Sequence, residues 1–384
     1  MTRQGAGLLD GTVRCCLALV AALLLAPAGG QVRAAHAPSQ LVVLVDRSEL
    51  GRVGNLWGQV NHVAIDPRGN LFIADNFAGA KEVSCQVRER LAANGAIRVI
   101  AGAIPHALLG RTPTQGLPLS ACRALAVDGK DNVYLLSTRF PYGRYPLEIF
   151  RLSAASRAVR AVAGCMKCYG IHAGRRAMES SMDFVYDLAV DRWGNVLFPD
   201  SYTGAIWKLS PSGLLKRLAD NVCAGRAIQY VCPDTVAVAR GNTIYFDGDD
   251  MRVVEGLDPA NGKLSIVAGG GSCRSHRHVF CGNRVPATKA RLDSPGALTV
   301  DNAGNLFLLE GGVVQRVDAK THQIEIVAGN GELEGTRTVY RLGERLPALT
   351  AAIEPMDLAV GPNGVVYIVD GGGNTAVLEL KSSG

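Results

Sequence analysis

The sequence predicts an all-β fold: a six-bladed β-propeller of four-stranded antiparallel blades, the last blade closed by the N-terminal strand. Three observations predict it. An apolar run, a polar turn and a second apolar run, usually closed by an acid, recur six times along the chain. Further strand candidates follow every copy, but the sixth copy stops at Gly384 without its fourth. One unassigned strand candidate, "QLVVLV" at Gln40 to Val45, precedes the first copy and can supply it. Closing the ring removes the sheet edges that would otherwise invite aggregation.

The first copy is "VNHVAIDPRGNLFIAD", Val60 to Asp75. The others begin at Arg123, Tyr186, Asp234, Gly296 and Met356. Their spacing is roughly 50–65 residues, one supersecondary unit per period. The first run of each copy is short, apolar at consecutive positions and β-branched, as a strand buried on both faces would be. A small residue recurs inside it: Ala64, Ala126, Ala189, Ala237 and Ala359, with Thr299 in the fifth copy. Turns such as "DPRGN" and "NAGN" place a residue of restricted φ or a turn former before a permissive glycine. The second run returns antiparallel. Third strands are expected at "KEVSCQVR", "LEIFRLS", "GAIWKLS", "RVVEGL", "VVQRVD" and "AVLEL". Fourth strands are expected at "AIRVIAG", "AVRAVAG", "LLKRLAD", "LSIVAGG" and "IEIVAGN".

At this level the repeat resembles the NHL family. "AIDPRGNLFIAD" and "IVAGNG" look like its valine-aspartate, turn, glycine-asparagine, strand, aspartate consensus and its "VAG" outer strand. The resemblance covers roughly Gln40 to Leu380 and implies architecture more than activity, because the fold hosts binding modules and enzymes alike. Copy four departs from it, with Ala239 in place of the turn aspartate and a turn read as two residues shorter. Copy two ends in Ser137 in place of an acid.

Residues 1–28 read as a secretory signal peptide, 29–39 as a short linker and 40–384 as the propeller. Arg3 and Arg14 precede an apolar run from Cys15 to Ala26 that is too short to span a bilayer. The expected location is therefore secreted or periplasmic, with no transmembrane segment once the signal is removed. Removing the signal lowers the formal net charge from +6 to +5, which does not argue for nucleic acid. Eight cysteines then remain, an even number that implies disulfides in an exported chain. Cys223–Cys232 and Cys273–Cys281 are the expected local pairs, while Cys85, Cys122, Cys165 and Cys168 pair among themselves in some order.

The turns joining first to second and third to fourth strands are short and share one face. The blade-to-blade crossings share the other face and are long, as at Met166–Asp183, Gly270–Ser294 and Asn330–Pro355. Long loops without structure of their own are commonly functional, so the site is expected there. Aligning the copies places Asn61, His62, Asp187, Asp234 and Asp357 at the starts of innermost strands, around the channel mouth. Hard oxygen ligands from several blades would suit Ca²⁺. The arrangement is similar to gluconolactonase and lactonase propellers, which hold a divalent ion at the channel; "PDTVAV" with Asp234 matches their proline-aspartate strand start. The equivalent positions Arg123, Tyr186, Gly296 and Met356 depart from that pattern.

The acids closing the second strands, Asp75, Asp200, Asp247, Glu310 and Asp370, recur in nearly every blade. A catalytic pair needs two groups in distinct environments, so repetition points to a structural role. Arg274, Arg277, Arg284 and Arg291 share one crossing and are candidates for an anionic partner. The expected function is a non-catalytic scaffold that binds a protein, a glycan or a small anionic ligand through its long-loop face. The alternative is a divalent-metal-dependent hydrolase or lyase of the lactonase type, with its site at the channel.

Overall fold

The computed structural model describes residues 39–50, 52–53, 56–78, 83–102, 119–139, 147–165, 167–220, 222, 233–248, 252–272, 284–332, 340–371 and 375–381. Among the described residues six antiparallel sheets of four or five strands succeed one another along the chain, each ordered from the channel outwards, beside one two-stranded hairpin at Arg52–Val53 and Leu56–Trp57. The first blade contains Gln59–Ile65, Leu71–Ala78, Val83–Arg90 and Ile97–Ala101. The second contains Leu119–Val127, Val133–Arg139, Leu147–Leu152 and Val159–Ala163. The third and fourth follow the same order, from Ala189–Val190 to Leu215–Ala219 and from Val236–Val238 to Lys263–Gly269. The fifth runs from Leu298–Val300 to Gln323–Ala328.

The sixth blade supplies Pro355–Val360, Val366–Asp370 and Ala376–Lys381, and its fourth strand is Gln40–Val45. That strand pairs antiparallel with Ala376–Lys381, in a register that sets Leu41 opposite Leu380 and Val43 opposite Leu378. The two ends of the described chain therefore meet in one sheet. Leu41, Val43 and Val45 are buried, so closure is apolar as well as hydrogen-bonded.

The core lies between blades, not within them. The buried apolar residues form six clusters, each spanning one pair of adjacent blades. One cluster, for example, joins Val45, Val63 and Ile73 to Ala359, Val369 and Val377 across the closure of the ring. Ala64, Ala189, Ala237, Thr299 and Ala359 line the central channel, where the blades converge.

The turns explain why the motif recurs. Asp66 Oδ1 accepts the N–H groups of Arg68 and Asn70, and its Oδ2 accepts Asn70 Nδ2. Asp128–Asn132, Asp191–Asn195 and Asp301–Asn305 repeat that set. An aspartate that binds backbone two and four residues ahead holds the reversal before any tertiary contact forms. The fourth copy dispenses with the side chain but keeps the length. Ala239 N–H donates to the Thr243 carbonyl just as Asp66 N–H donates to Asn70, so this turn is not the shorter one expected.

The outer-strand "VAG" also has a physical reason. Gly102, Gly164, Gly269 and Gly329 all adopt positive φ and lie against the backbone at the start of the third strand. A Cβ on Gly329 would press into the Gly312 carbonyl oxygen, which glycine avoids.

The long crossings differ from expectation. Their later halves are built structure on the outer edge of the blade they are about to enter. Val285–Pro286 pairs with Gln323–Ala328, and Arg345–Pro347 with Gln40–Val45. Arg176 forms the matching bridge to Leu214. Each of these segments buries one alanine, Ala177, Ala287 or Ala348. The signal was present as "RRAMES", "RVPATK" and "RLPALT", a second, shorter repeat.

Candidate functional site

Innermost strands start on the long-loop face, and the residues there divide into two matched clasps. Asp187, in the third blade, accepts the Val236 N–H at 2.9 Å and the Thr235 hydroxyl at 3.0 Å, both from the fourth. Asp357, in the sixth blade, accepts the Val63 N–H at 2.9 Å and lies 3.3 Å from His62 Nδ1, both from the first. Each aspartate also accepts the N–H of its own next residue, Leu188 or Leu358. His62 and Thr235 occupy the same position in their copies. The two clasps are three blades apart, on opposite sides of the channel that Asp187 and Asp357 both line. Burial, with the Asp357 charge as a lesser contributor, raises the Asp187 pKa to about 6.

Asp234 is tied differently. Its Oδ1 accepts the Ser201 hydroxyl at 2.5 Å, a bond from the third blade to the fourth. Burial raises its pKa and the Ser201 bond opposes the rise. Asn61 sits where the register of the first blade's innermost strand shifts, and its Oδ1 is buried without a hydrogen-bond partner among the described residues. Thus the structure brings Asp357 to His62 and sets Asp187 across the channel, while Asp234 faces Ser201. Among the described residues no three His, Cys, Asp or Glu side chains gather as a metal site needs. Both clasp carboxylates are already held by backbone donors. Among the described residues that donor set falls short of a Ca²⁺ site, which takes six to eight oxygens.

The closing acids bind backbone. Asp247 Oδ1 accepts the N–H groups of Asp234 and Thr235, both at 2.8 Å, and burial raises its pKa to about 7. Glu310 accepts from Asp293 and Ser294, and Asp370 from Glu354 and from the Tyr340 hydroxyl. In these three blades the acid holds the crossing as it enters the innermost strand. Asp75 instead receives Arg88 Nε at 3.1 Å, and Asp200 receives Thr203 Oγ1 at 2.5 Å.

An aromatic group stands on the same face. Phe184 and Tyr202 stack with ring centroids 5.0 Å apart, and Tyr202 is 52% exposed. Beside them the Arg123 guanidinium lies over the Tyr186 ring, 5.8 Å from its centroid. Arg123 lies at a register shift within the second blade's innermost strand, and Tyr186 immediately precedes the channel-lining Asp187, so this group flanks the channel mouth. Tyr169, in the adjoining crossing, is almost fully exposed. Phe184 and Tyr202 escaped the sequence reading, although "DFVYD" and "DSYTG" put an aromatic residue just outside a strand end.

Of the four arginines singled out, Arg274 and Arg277 lie outside the described residues. Arg284 Nε lies 3.5 Å from Glu325 and Arg291 lies 2.7 Å from Asp293. Cys223, Cys232, Cys273 and Cys281 also lie outside the described residues. Cys85 pairs with Cys122 and Cys165 with Cys168. The first bridge is a core staple, joining the third strand of the first blade to the innermost strand of the second; both its cysteines are buried.

No known family profile matches the chain. It is 29% identical over 210 residues to mouse Teneurin-4, an alignment that covers 48% of this chain and 7% of that protein. An auxiliary nutrient binding protein from Bacteroides thetaiotaomicron superposes with a TM-score of 0.57 at 10% identity, covering 90% of this chain and 77% of that one. A gluconolactonase from Xanthomonas campestris gives 0.49 at 15% identity, covering 93% and 99%. The likeness to the nutrient binding protein shows the propeller fold alone.

Proposed function

We propose that the chain is an exported, non-catalytic recognition scaffold of the NHL type that binds a ring-bearing partner, a glycan or a protein side chain, on its long-loop face. The observation that carries this reading is the Phe184–Tyr202 stack beside Arg123 and Tyr186 at the channel mouth. Half-exposed aromatic rings with an adjacent guanidinium present a large, rigid contact area at small entropic cost. The carboxylates nearby support the same reading, because Asp187, Asp247 and Asp357 are already occupied as acceptors for backbone N–H groups. A disulfide buried between blades accords with export. No helix among the described residues is long and apolar enough to cross a membrane.

The test compares the wild-type protein with a Phe184→Ala/Tyr202→Ser variant on a glycan array and in a pull-down from the producing cell's extracytoplasmic fraction. Binding at least about tenfold weaker in the variant, with an unchanged Tm, is the expected result. Chelator-sensitive hydrolysis of glucono-δ-lactone, abolished by Asp234→Ala, would replace this reading with the lactonase alternative.

A further inference from the structure

A second cavity lies on the opposite face, where the short turns cluster. It opens between the second and third blades, has a volume of about 420 Å³, and is lined by Lys130, Arg151, Arg192, Trp193, Tyr134 and Pro211, among others. That volume falls in the range of small-ligand sites. The proposed recognition face is at the other end of the strands, so this cavity is independent of it.

Its composition is unlike that of the neighbouring turns. Between the first and second blades, Arg68 of one turn reaches Asp131 of the next at 2.7 Å. Between the fifth and sixth, Asn302 Nδ2 donates to the Pro362 carbonyl at 2.7 Å. Between the second and third blades the corresponding turn residues are Lys130 and Trp193, and the gap stays open. Lys130, Arg151 and Arg192 have no ion-pair partner among the described residues. The carboxylate in the wall, Asp128, is committed to its own turn through Lys130 N, Asn132 N and Asn132 Nδ2. With three cationic side chains against one carboxylate, the cavity carries net positive charge.

Trp193 supplies the second element. It is 52% exposed at the tip of a tight turn, with the Arg192 guanidinium 4.3 Å from its ring centroid. This half-exposed indole belongs to none of the buried core clusters, and as a contact surface it offers a flat apolar face. Tyr134 is turned away from this role, because its hydroxyl donates to Asp128.

We infer that the cavity between the second and third blades binds a small acidic saccharide, with its carboxylate on Arg151 and Lys130 and its ring against Trp193. Arginine and lysine together match a carboxylate by charge, and the arginine adds a two-pronged donor geometry. The aromatic surface selects for a ring and against a bare anion.

The probe is D-glucuronate, followed by ligand-observed NMR and by tryptophan emission. Saturable binding is expected, with D-glucose and inorganic phosphate each at least about tenfold weaker. Trp193→Ala and Arg151→Gln, both at exposed positions, are expected to weaken binding by about tenfold or more without changing Tm. The Phe184→Ala/Tyr202→Ser variant is expected to bind glucuronate as the wild type does, which separates this site from the long-loop face. No saturable signal up to about 10 mM glucuronate overturns the inference. So does equal binding of glucose or phosphate, an undiminished affinity in Trp193→Ala, or tighter binding of an oligoglutamate peptide, which would mark a protein-docking surface.

Discussion

Asp357 of the sixth blade accepts the backbone N–H of Val63 in the first at 2.9 Å, a contact between residues 294 positions apart. Asp187 makes the same contact with Val236, half a turn around the ring. At both places a side chain does what a strand cannot, satisfying an N–H that faces the neighbouring blade.

Removing either carboxylate leaves that N–H unmet in a partly buried site. Asp187→Ala and Asp357→Ala are each expected to lower unfolding free energy by about 1–3 kcal/mol. Asn substitutions, which keep an acceptor, should recover part of the loss. Urea unfolding of the four variants checks this, and alanine variants as stable as wild type would deny the clasps any role in the ring.

The pH dependence has a defined sign. Asp187 and Asp247 have pKa values of about 6 and about 7, above the carboxylate range of the unfolded chain. Between about pH 4 and pH 7 the folded protein therefore binds more protons than the unfolded one, and stability falls as pH rises. Asp200, Asp234 and Glu310 are shifted the same way. Asp46 is shifted down and acts oppositely, below this window. The urea midpoint is expected to be higher at about pH 5 than at about pH 8, with a flatter profile in Asp247→Asn. A midpoint that rises over this interval would contradict the assignment.

Gly329→Ala should be costly for reasons of space as well as backbone conformation. The residue has a φ of +85°, and the added methyl would meet the Gly312 carbonyl and Val313 Cα. A loss of roughly 2–4 kcal/mol is expected, larger than for a strained turn alone. Gly364→Ala, with a φ of +79° but nothing near its Cβ position, is the control, expected to lose only about 1 kcal/mol. Equal losses in thermal unfolding would remove the steric part of this account.

Ring closure rests on buried side chains from the N-terminal strand. Leu41 is fully buried beside Leu346 and Leu378, so Leu41→Ala should cost about 2–5 kcal/mol. Deleting Leu41–Val45 should expose the edge of Ala376–Lys381 and cause aggregation, measurable by light scattering. A monomeric, equally stable deletion product would mean that the ring does not depend on this strand.

Much of the architecture was legible because its causes are local. The Asp66–Asn70 turn is built from hydrogen bonds two to four residues long, so its pattern is written directly in "DPRGN". The positive-φ glycines of "VAG" reflect one repeated steric contact. The edge segments around Ala177, Ala287 and Ala348 recur as well, but each is too short to show a strand period. At the site, the channel-rim positions followed from alignment of the copies, yet the chemistry of Asp187 and Asp357 did not. A row of polar strand starts is equally compatible with metal ligands and with backbone clasps.

By itself the sequence determined the number of blades, their order, their turns and the N-terminal strand that completes the last one, since each depends on periodicity and nearest-neighbour chemistry. Tertiary structure alone decided which polar groups meet: Asp357 with Val63, Ser201 with Asp234, Cys85 with Cys122. It also decided that the turns at Lys130 and Trp193 would line one cavity together with Arg151 and Arg192. These partners belong to different blades, and bending the sheets into a ring sets their distances, which no local spacing encodes.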